Sequence, residues 1–214
     1  MAFIRARTPE QILMRKDKIV DSTLMIYDSI GYGGVNFSAI AKQSGLSRPS
    51  IYSYFKNTND ILLYALGSDF DELNAYLEQE LSKHQELDCE GFTKILHSGF
   101  MAHPRMLKML SLNYTVMENG ASYEALVDYK ARTIRTFSLI IRFIDRFFPP
   151  RSKEQTRDFV FMLFSFMLSV YVLTTQTDKQ LKAVSQCDER LEFPECSHLS
   201  YEGLKAIVAT LEKH

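Results

Sequence analysis

Apolar residues recur along nearly the whole chain at the three- and four-residue spacing of a helix face, and no run alternates strictly for long. The pattern predicts an all-α protein. Residues 11–31 form the first clear helix, with Ile19, Thr23, Ile26, Tyr27 and Ile30 on one face. Gly31-Tyr32-Gly33-Gly34 ends it, since glycine is the usual C-terminal breaker. Asn36 stands where its side chain takes a free first-turn amide of a short helix over 37–44. Gly45 closes that helix, and Leu46-Ser47 turn the chain. A third short helix has Pro49 in its first turn, where the missing N–H costs little, and ends near Phe55. Thr58 or Asn59 then caps a long helix over 60–83, apolar through Ile61, Leu62, Ala65, Leu66, Phe70, Leu73, Tyr76 and Leu77. Further helices are expected at 91–101, 104–118, 121–148, 153–175 and 200–213. Residues 176–199 read as a loop or a short helix.

The segment 36–55, NFSAIAKQSGLSRPSIYSYF, has the logic of a helix-turn-helix. Phe37, Ile40 and Ala41 face inward from its first helix, Leu46 plugs the turn, and Ile51 and Phe55 face inward from the second. Gly45 supplies the sharp turn. Ser47, Arg48, Pro49, Ser50, Ser53 and Tyr54 are left pointing away from the core, a face suited to the major groove. Arg48 is the leading base reader, because a guanidinium bonds a guanine edge in two places. Ser47 and Ser50 reach bases or phosphates, and Pro49 offers a flat contact for a thymine methyl. Tyr52 and Tyr54 carry hydroxyls for phosphates. Lys56, with Lys16 or Lys18, is a candidate phosphate clamp. Asn36 and Ser38, at the start of the first helix of the pair, complete the expected DNA-contacting set.

These residues carry a resemblance. Ile19-Val20-Asp21-Ser22-Thr23 with Ile26-Tyr27 and Gly31-Tyr32, then Ile40-Ala41 with Ser44-Gly45-Leu46-Ser47, then Ile51-Tyr52-Ser53-Tyr54-Phe55-Lys56-Asn57 resemble the DNA-binding domain of the tetracycline-repressor (TetR) family. The match covers about a fifth of the chain. Two positions depart from the family pattern: Asn36 stands where Thr or Ser is common, and Thr58 where many members have a phosphate-reaching Lys, a role that leaves Lys56 as the substitute. The resemblance implies a DNA-binding domain over 1–58 and a helical body over 59–214 that dimerises and often holds a small ligand.

Composition bounds the rest. With 46% hydrophobic and 24% charged residues in 214, the chain has an ordinary globular make-up. Its net charge of −1 hides an asymmetry: Met1–Asp60 holds eight Lys/Arg against five acids, the remainder 17 against 21. A basic end on an acidic body suits a polyanion at one end. Three cysteines, Cys89, Cys187 and Cys196, fit no disulfide framework, and with His198 they match no zinc spacing. No secretory signal is visible in Met1–Ile12, so a reducing cytoplasm is expected. The apolar run Phe159–Leu173 falls short of the roughly 20 residues that span a bilayer and reads as a core or interface helix. Glycine-rich phosphate loops, HExxH and GxSxG are missing, so neither an enzyme nor a cofactor is expected.

The body contains a Met- and Phe-rich set able to line an apolar effector cavity: His97, Phe100, Met101, Met109, Tyr114, Phe137, Met162, Phe166 and Tyr171. The sequence therefore predicts a dimeric repressor of a palindromic operator, released when an effector tilts the fourth helix. Control by a protein partner without an effector is the alternative; an enzyme with an accessory helical head is a third class, which the missing catalytic motifs disfavour.

Overall fold

A computed structural model describes residues 8–187 and 192–212. Arg5 and Arg7 of the basic end, Asp188–Leu191 of the irregular stretch and the end of the last predicted helix lie outside them. The described residues are helices joined by turns, as the periodicity predicts.

Helix α1 (Pro9–Ile30) begins two residues early, because Thr8 accepts from the Gln11 amide and Pro9 needs no partner. Its buried face is Ile19, Val20, Thr23, Leu24, Ile26 and Tyr27. Ile30 departs from expectation: it is 71% exposed and lies against Gly34, where an added Cβ would come within 2.6 Å of its side chain. Gly31, at φ 88°, takes the left-handed conformation that ends the helix. A short 3₁₀ turn (Tyr32–Gly34) leads to α2 (Phe37–Ser44) and α3 (Arg48–Tyr52). The second of these is shorter than predicted, although the Tyr54 and Phe55 amides still bond Ile51 O at 3.0 and 3.1 Å. The next helix, α4 (Thr58–Lys83), is capped by neither expected residue: Asn57 Oδ1 accepts from the Asp60 amide at 3.0 Å. Ile61, Leu62, Ala65, Leu66, Phe70, Leu73 and Leu77 are all buried along α4.

The helix expected over 104–118 is broken. After α5 (Cys89–Met101), α6 (Pro104–Leu112) gives way to a π-helical turn (Asn113–Met117) and a single turn, α7 (Glu118–Gly120). Asn113 is fully buried and donates to Glu118 Oε1 at 2.8 Å, and Lys130 donates to the same oxygen at 2.7 Å. An apolar repeat carries no trace of one extra residue per turn. The remaining elements are α8 (Tyr123–Phe147), α9 (Lys153–Thr174), α10 (Asp178–Val184) and α11 (Cys196–Val208), followed by a 3₁₀ turn (Ala209–Leu211). Reciprocal capping boxes, Ser152 with Gln155 and Thr177 with Gln180, start α9 and α10. Glu195 starts α11 four residues earlier than predicted, accepting from the Ser197 and His198 amides at 3.0 and 2.6 Å.

The chain folds into two compact units. The first takes the chain up to Ser68 together with Asn113–Ala131 and centres on Ile19, Tyr27, Ile40, Ile51 and Ile61. The second takes Asp69–Leu112 and Arg132 onward, and its core is aromatic. There Phe92 stacks on Phe143 at 5.2 Å, and Phe164 meets Phe100 at 5.8 Å and Phe137 at 4.4 Å. The buried amide of Asn74 is satisfied by Arg132 O and by the Thr136 hydroxyl, at 3.1 and 2.7 Å, so this polar group fixes the register of α4 on α8.

Candidate nucleic-acid interface

Helices α2 and α3 form the expected pair. Ile40 and Ile51 are fully buried and Phe55 nearly so. Gly45 turns the chain at φ 66°, ψ 17°, and Ser44 Oγ accepts from the Leu46 amide across the turn. Phe37, Ala41 and Leu46 are only half-buried. Phe37 instead meets Tyr52, ring centroids 4.2 Å apart, so the two helices are joined on their outer side as well.

Ser47 caps α3, accepting from the Ser50 amide at 3.3 Å, which leaves its hydroxyl proton free to donate outward. Asn36 likewise caps α2 through the Ala39 amide at 3.0 Å. Both residues therefore hold helix N-termini at the surface, where free amides and the helix dipole favour an anion. Ser38, Arg48, Pro49, Tyr52 and Ser53 are exposed, and Ser50 and Tyr54 half-exposed. Ser53 donates its hydroxyl proton to Ser50 O at 2.7 Å and keeps only lone pairs for a partner. The predicted residues from Asn36 to Tyr54 thus lie on α2, α3 and the positions flanking them, with Arg48 the single guanidinium among them.

Lys56 lies just past α3, and its ammonium is held by Glu124 Oε2 at 2.7 Å. Lys16, read as an alternative clamp, reaches over the rings of Tyr64 and Phe55 at 5.3 and 5.9 Å. Lys18 is exposed. Sequence reasoning also missed a polar junction behind this surface. Asp60 is 4% exposed, and its carboxylate accepts from the Lys56 amide (3.1 Å), the Ser122 amide (2.7 Å) and the Ser122 hydroxyl (3.0 Å). Nearby, Tyr32 donates to Asn59 Oδ1 at 2.9 Å. A separation of 62 residues leaves no local signal for the Asp60–Ser122 pair.

The nine effector candidates stand in different surroundings. Phe100 and Met109 are core, His97 bonds Ser197 O at 3.0 Å and meets the Tyr201 ring edge-on, and Phe166 packs on Gly203. Met101 and Tyr171 are half-buried, and Met162 is 48% exposed. Tyr114 belongs to the first unit, under the Lys130 ammonium at 4.8 Å. Phe137 lines a groove of about 400 Å³ with Ile141, Val160 and Phe161, and Asp145, Arg151, Lys153 and Arg157 line it as well.

Comparison with known proteins agrees with this architecture. Residues 19–65 match the profile of bacterial regulatory proteins of the tetR family, and residues 66–208 that of the tetracyclin repressor-like C-terminal domain. The HTH-type transcriptional repressor KstR of Mycolicibacterium smegmatis is 33% identical over 61 residues, which span 28% of this chain and 30% of KstR. The fatty acid degradation regulator FadR of Bacillus halodurans superposes with a TM-score of 0.62 at 18% identity, over 98% of this chain and 100% of that one. FadR of Bacillus subtilis, solved with stearoyl-CoA, gives 0.61 at 16% identity over 90% and 97%. At those identities the solved structures speak for the fold, whereas the C-terminal profile alone spans most of the chain. The chain belongs to the TetR family of bacterial regulatory proteins.

Proposed function

We propose that the protein is a ligand-responsive transcriptional repressor that binds a palindromic operator as a cytoplasmic homodimer, the α3 face of each subunit entering one major groove. The observation that carries this reading is the exposed surface around the α3 N-terminus: Ser47, Arg48, Pro49 and Ser50 on a helix whose opposite side, Ile51, is fully buried. A rigid short helix with one guanidinium and small polar neighbours can approach base edges closely. Residues 1–58 act as the reading head and 59–214 as the body. A family of DNA-binding regulators gives no reason to expect catalysis.

Dimerisation is supported by α9. Its inner face, Phe159, Val160, Leu163, Phe164, Met167 and Val170, is buried, whereas Phe161, Met162, Val172 and Leu173 stand 44–63% exposed. By length and composition alone the helix could cross a membrane, at 22 residues and a mean hydropathy of 1.5. A buried inner face fits a core helix with a partner-covered outer side better than a lipid-facing one. Two recognition helices also match the two-fold symmetry of a palindrome.

The effector acts by binding one of two states better, which shifts the spacing of the reading heads. Stearoyl-CoA, held by the similar Bacillus subtilis protein, is the first compound to test. The groove beside Phe137, lined by apolar side chains with three basic residues against one acid, Asp145, offers cover for an acyl chain and net positive charge for an anionic head.

Footprinting of the DNA upstream of the protein's own gene, at two salt concentrations, tests the reading. The expected result is a protected palindrome that is lost on adding the effector. Absence of any DNA binding overturns it.

A further inference from the structure

Lys56 sits one turn beyond α3, on the side of the head where a phosphate backbone would run, yet its ammonium is already occupied. Glu124 Oε2 lies 2.7 Å from Lys56 Nζ, and the two side chains are 65% and 70% exposed. An ion pair so open to water can be broken by an arriving anion, because solvent screens the attraction and little packing holds the partners. Glu124 is not placed at random. It stands in the first turn of α8, one residue past Tyr123 and two past Ser122. Ser122 is anchored through its amide and hydroxyl to both oxygens of buried Asp60, and Asp60 Oδ2 also accepts from the Lys56 amide. The backbones of Lys56 and Ser122 are thus tied to the same carboxylate, and Glu124 follows Ser122 by two residues.

Resting on the reading above, we propose that Glu124 is an internal competitor of DNA phosphate for Lys56, and that it lowers the affinity of the protein for all duplex DNA. The carboxylate has the charge and the hydrogen-bonding geometry of the phosphate oxygen it replaces. DNA binding must exchange one anion for the other, so each subunit gives up the Lys56–Glu124 contact to gain a Lys56–phosphate one. The effect carries no sequence preference, because Lys56 lies outside the base-facing surface. It lowers operator and bulk affinity by the same factor and leaves their ratio unchanged.

The test is a double-mutant cycle read by fluorescence anisotropy on two duplexes, one of random sequence and one holding the footprinted operator. Glu124→Gln keeps the size and removes the charge. At low salt it is expected to tighten binding to both duplexes about two- to five-fold, the range of an exposed pair, with the gain shrinking as salt screens the pair in the parent protein. Lys56→Ala is expected to weaken both duplexes, and Lys56→Ala with Glu124→Gln to bind as Lys56→Ala alone. A gain from Glu124→Gln that persists without Lys56 is a general charge effect and overturns the proposal, as does no gain in a parent protein that binds both duplexes. A parent protein that binds neither duplex sinks the repressor reading and this inference together. Thermal melts of each variant confirm that the head is folded, since both side chains are at the surface.

Discussion

Arg48 is the only basic residue of α3, and it projects from the first turn beside the Ser47 cap. If it reads a guanine edge, Arg48→Ala costs about 1–3 kcal/mol of operator binding and relaxes the preference at one base pair. A binding-site selection with the variant checks this; equal weakening on every sequence makes Arg48 a phosphate contact instead. A second residue-scale expectation concerns the thiols. Burial, with Glu212 beside it, pushes Cys89 up to about 11, and its sulfur donates to Val208 O at 3.4 Å. Only the thiolate attacks an alkylating agent. At pH 8, iodoacetamide followed by peptide mass mapping is expected to label exposed Cys187 first and Cys89 last, with Cys89 gaining reactivity only as the pH climbs toward that value.

At the scale of elements, the turn between α2 and α3 depends on one backbone conformation. Gly45 has φ 66° and nothing within 4 Å of an added Cβ, so Gly45→Ala meets no clash and isolates the conformational cost. That cost is roughly 1 kcal/mol for a left-handed residue with a Cβ, and it appears as a lowered melting temperature. Gly33→Ala, also free of neighbours and without positive φ, is the control and should leave the melt unchanged or raise it. An unchanged melt for Gly45→Ala would mean the turn relaxes into another geometry. The α2–α3 pair was legible in sequence because every signal is local: the Asn36 cap, the Gly45 turn, Phe37 with Ile40 on one helix, and Ile51 with Phe55 four residues on. The Asn113–Met117 π turn was not, because the polar group that accompanies it, buried Asn113, donates to Glu118 in a fold whose burial the sequence does not disclose.

For the whole molecule, the proposed dimer rests on the outer face of α9. Phe161, Met162, Val172 and Leu173 present large apolar groups to solvent in the single chain. Covering the half of each that is still exposed is worth on the order of 1 kcal/mol, a contribution that favours association through a helix-to-helix interface. Phe161→Asp with Leu173→Asp is expected to halve the mass measured by light scattering. Loss of cooperative operator binding should accompany it, with non-specific DNA binding kept. A dimer that survives both charges places the interface elsewhere. The charge asymmetry read from sequence belongs to this scale too, and it steers which end meets a polyanion without adding to the fold.

What the sequence by itself determined is what short-range physics encodes: helices from period and caps, the helix-turn-helix from one glycine and two isoleucines, the family from the residues around them. The tertiary structure decided where side chains separated by scores of residues come to rest. It gave Lys56 to Glu124, Ser122 to Asp60, and Phe137 to a groove shared with residues of the next helix. Helical spacing says which face of a helix is apolar; which neighbour covers that face is set by the packing of elements far apart in the chain.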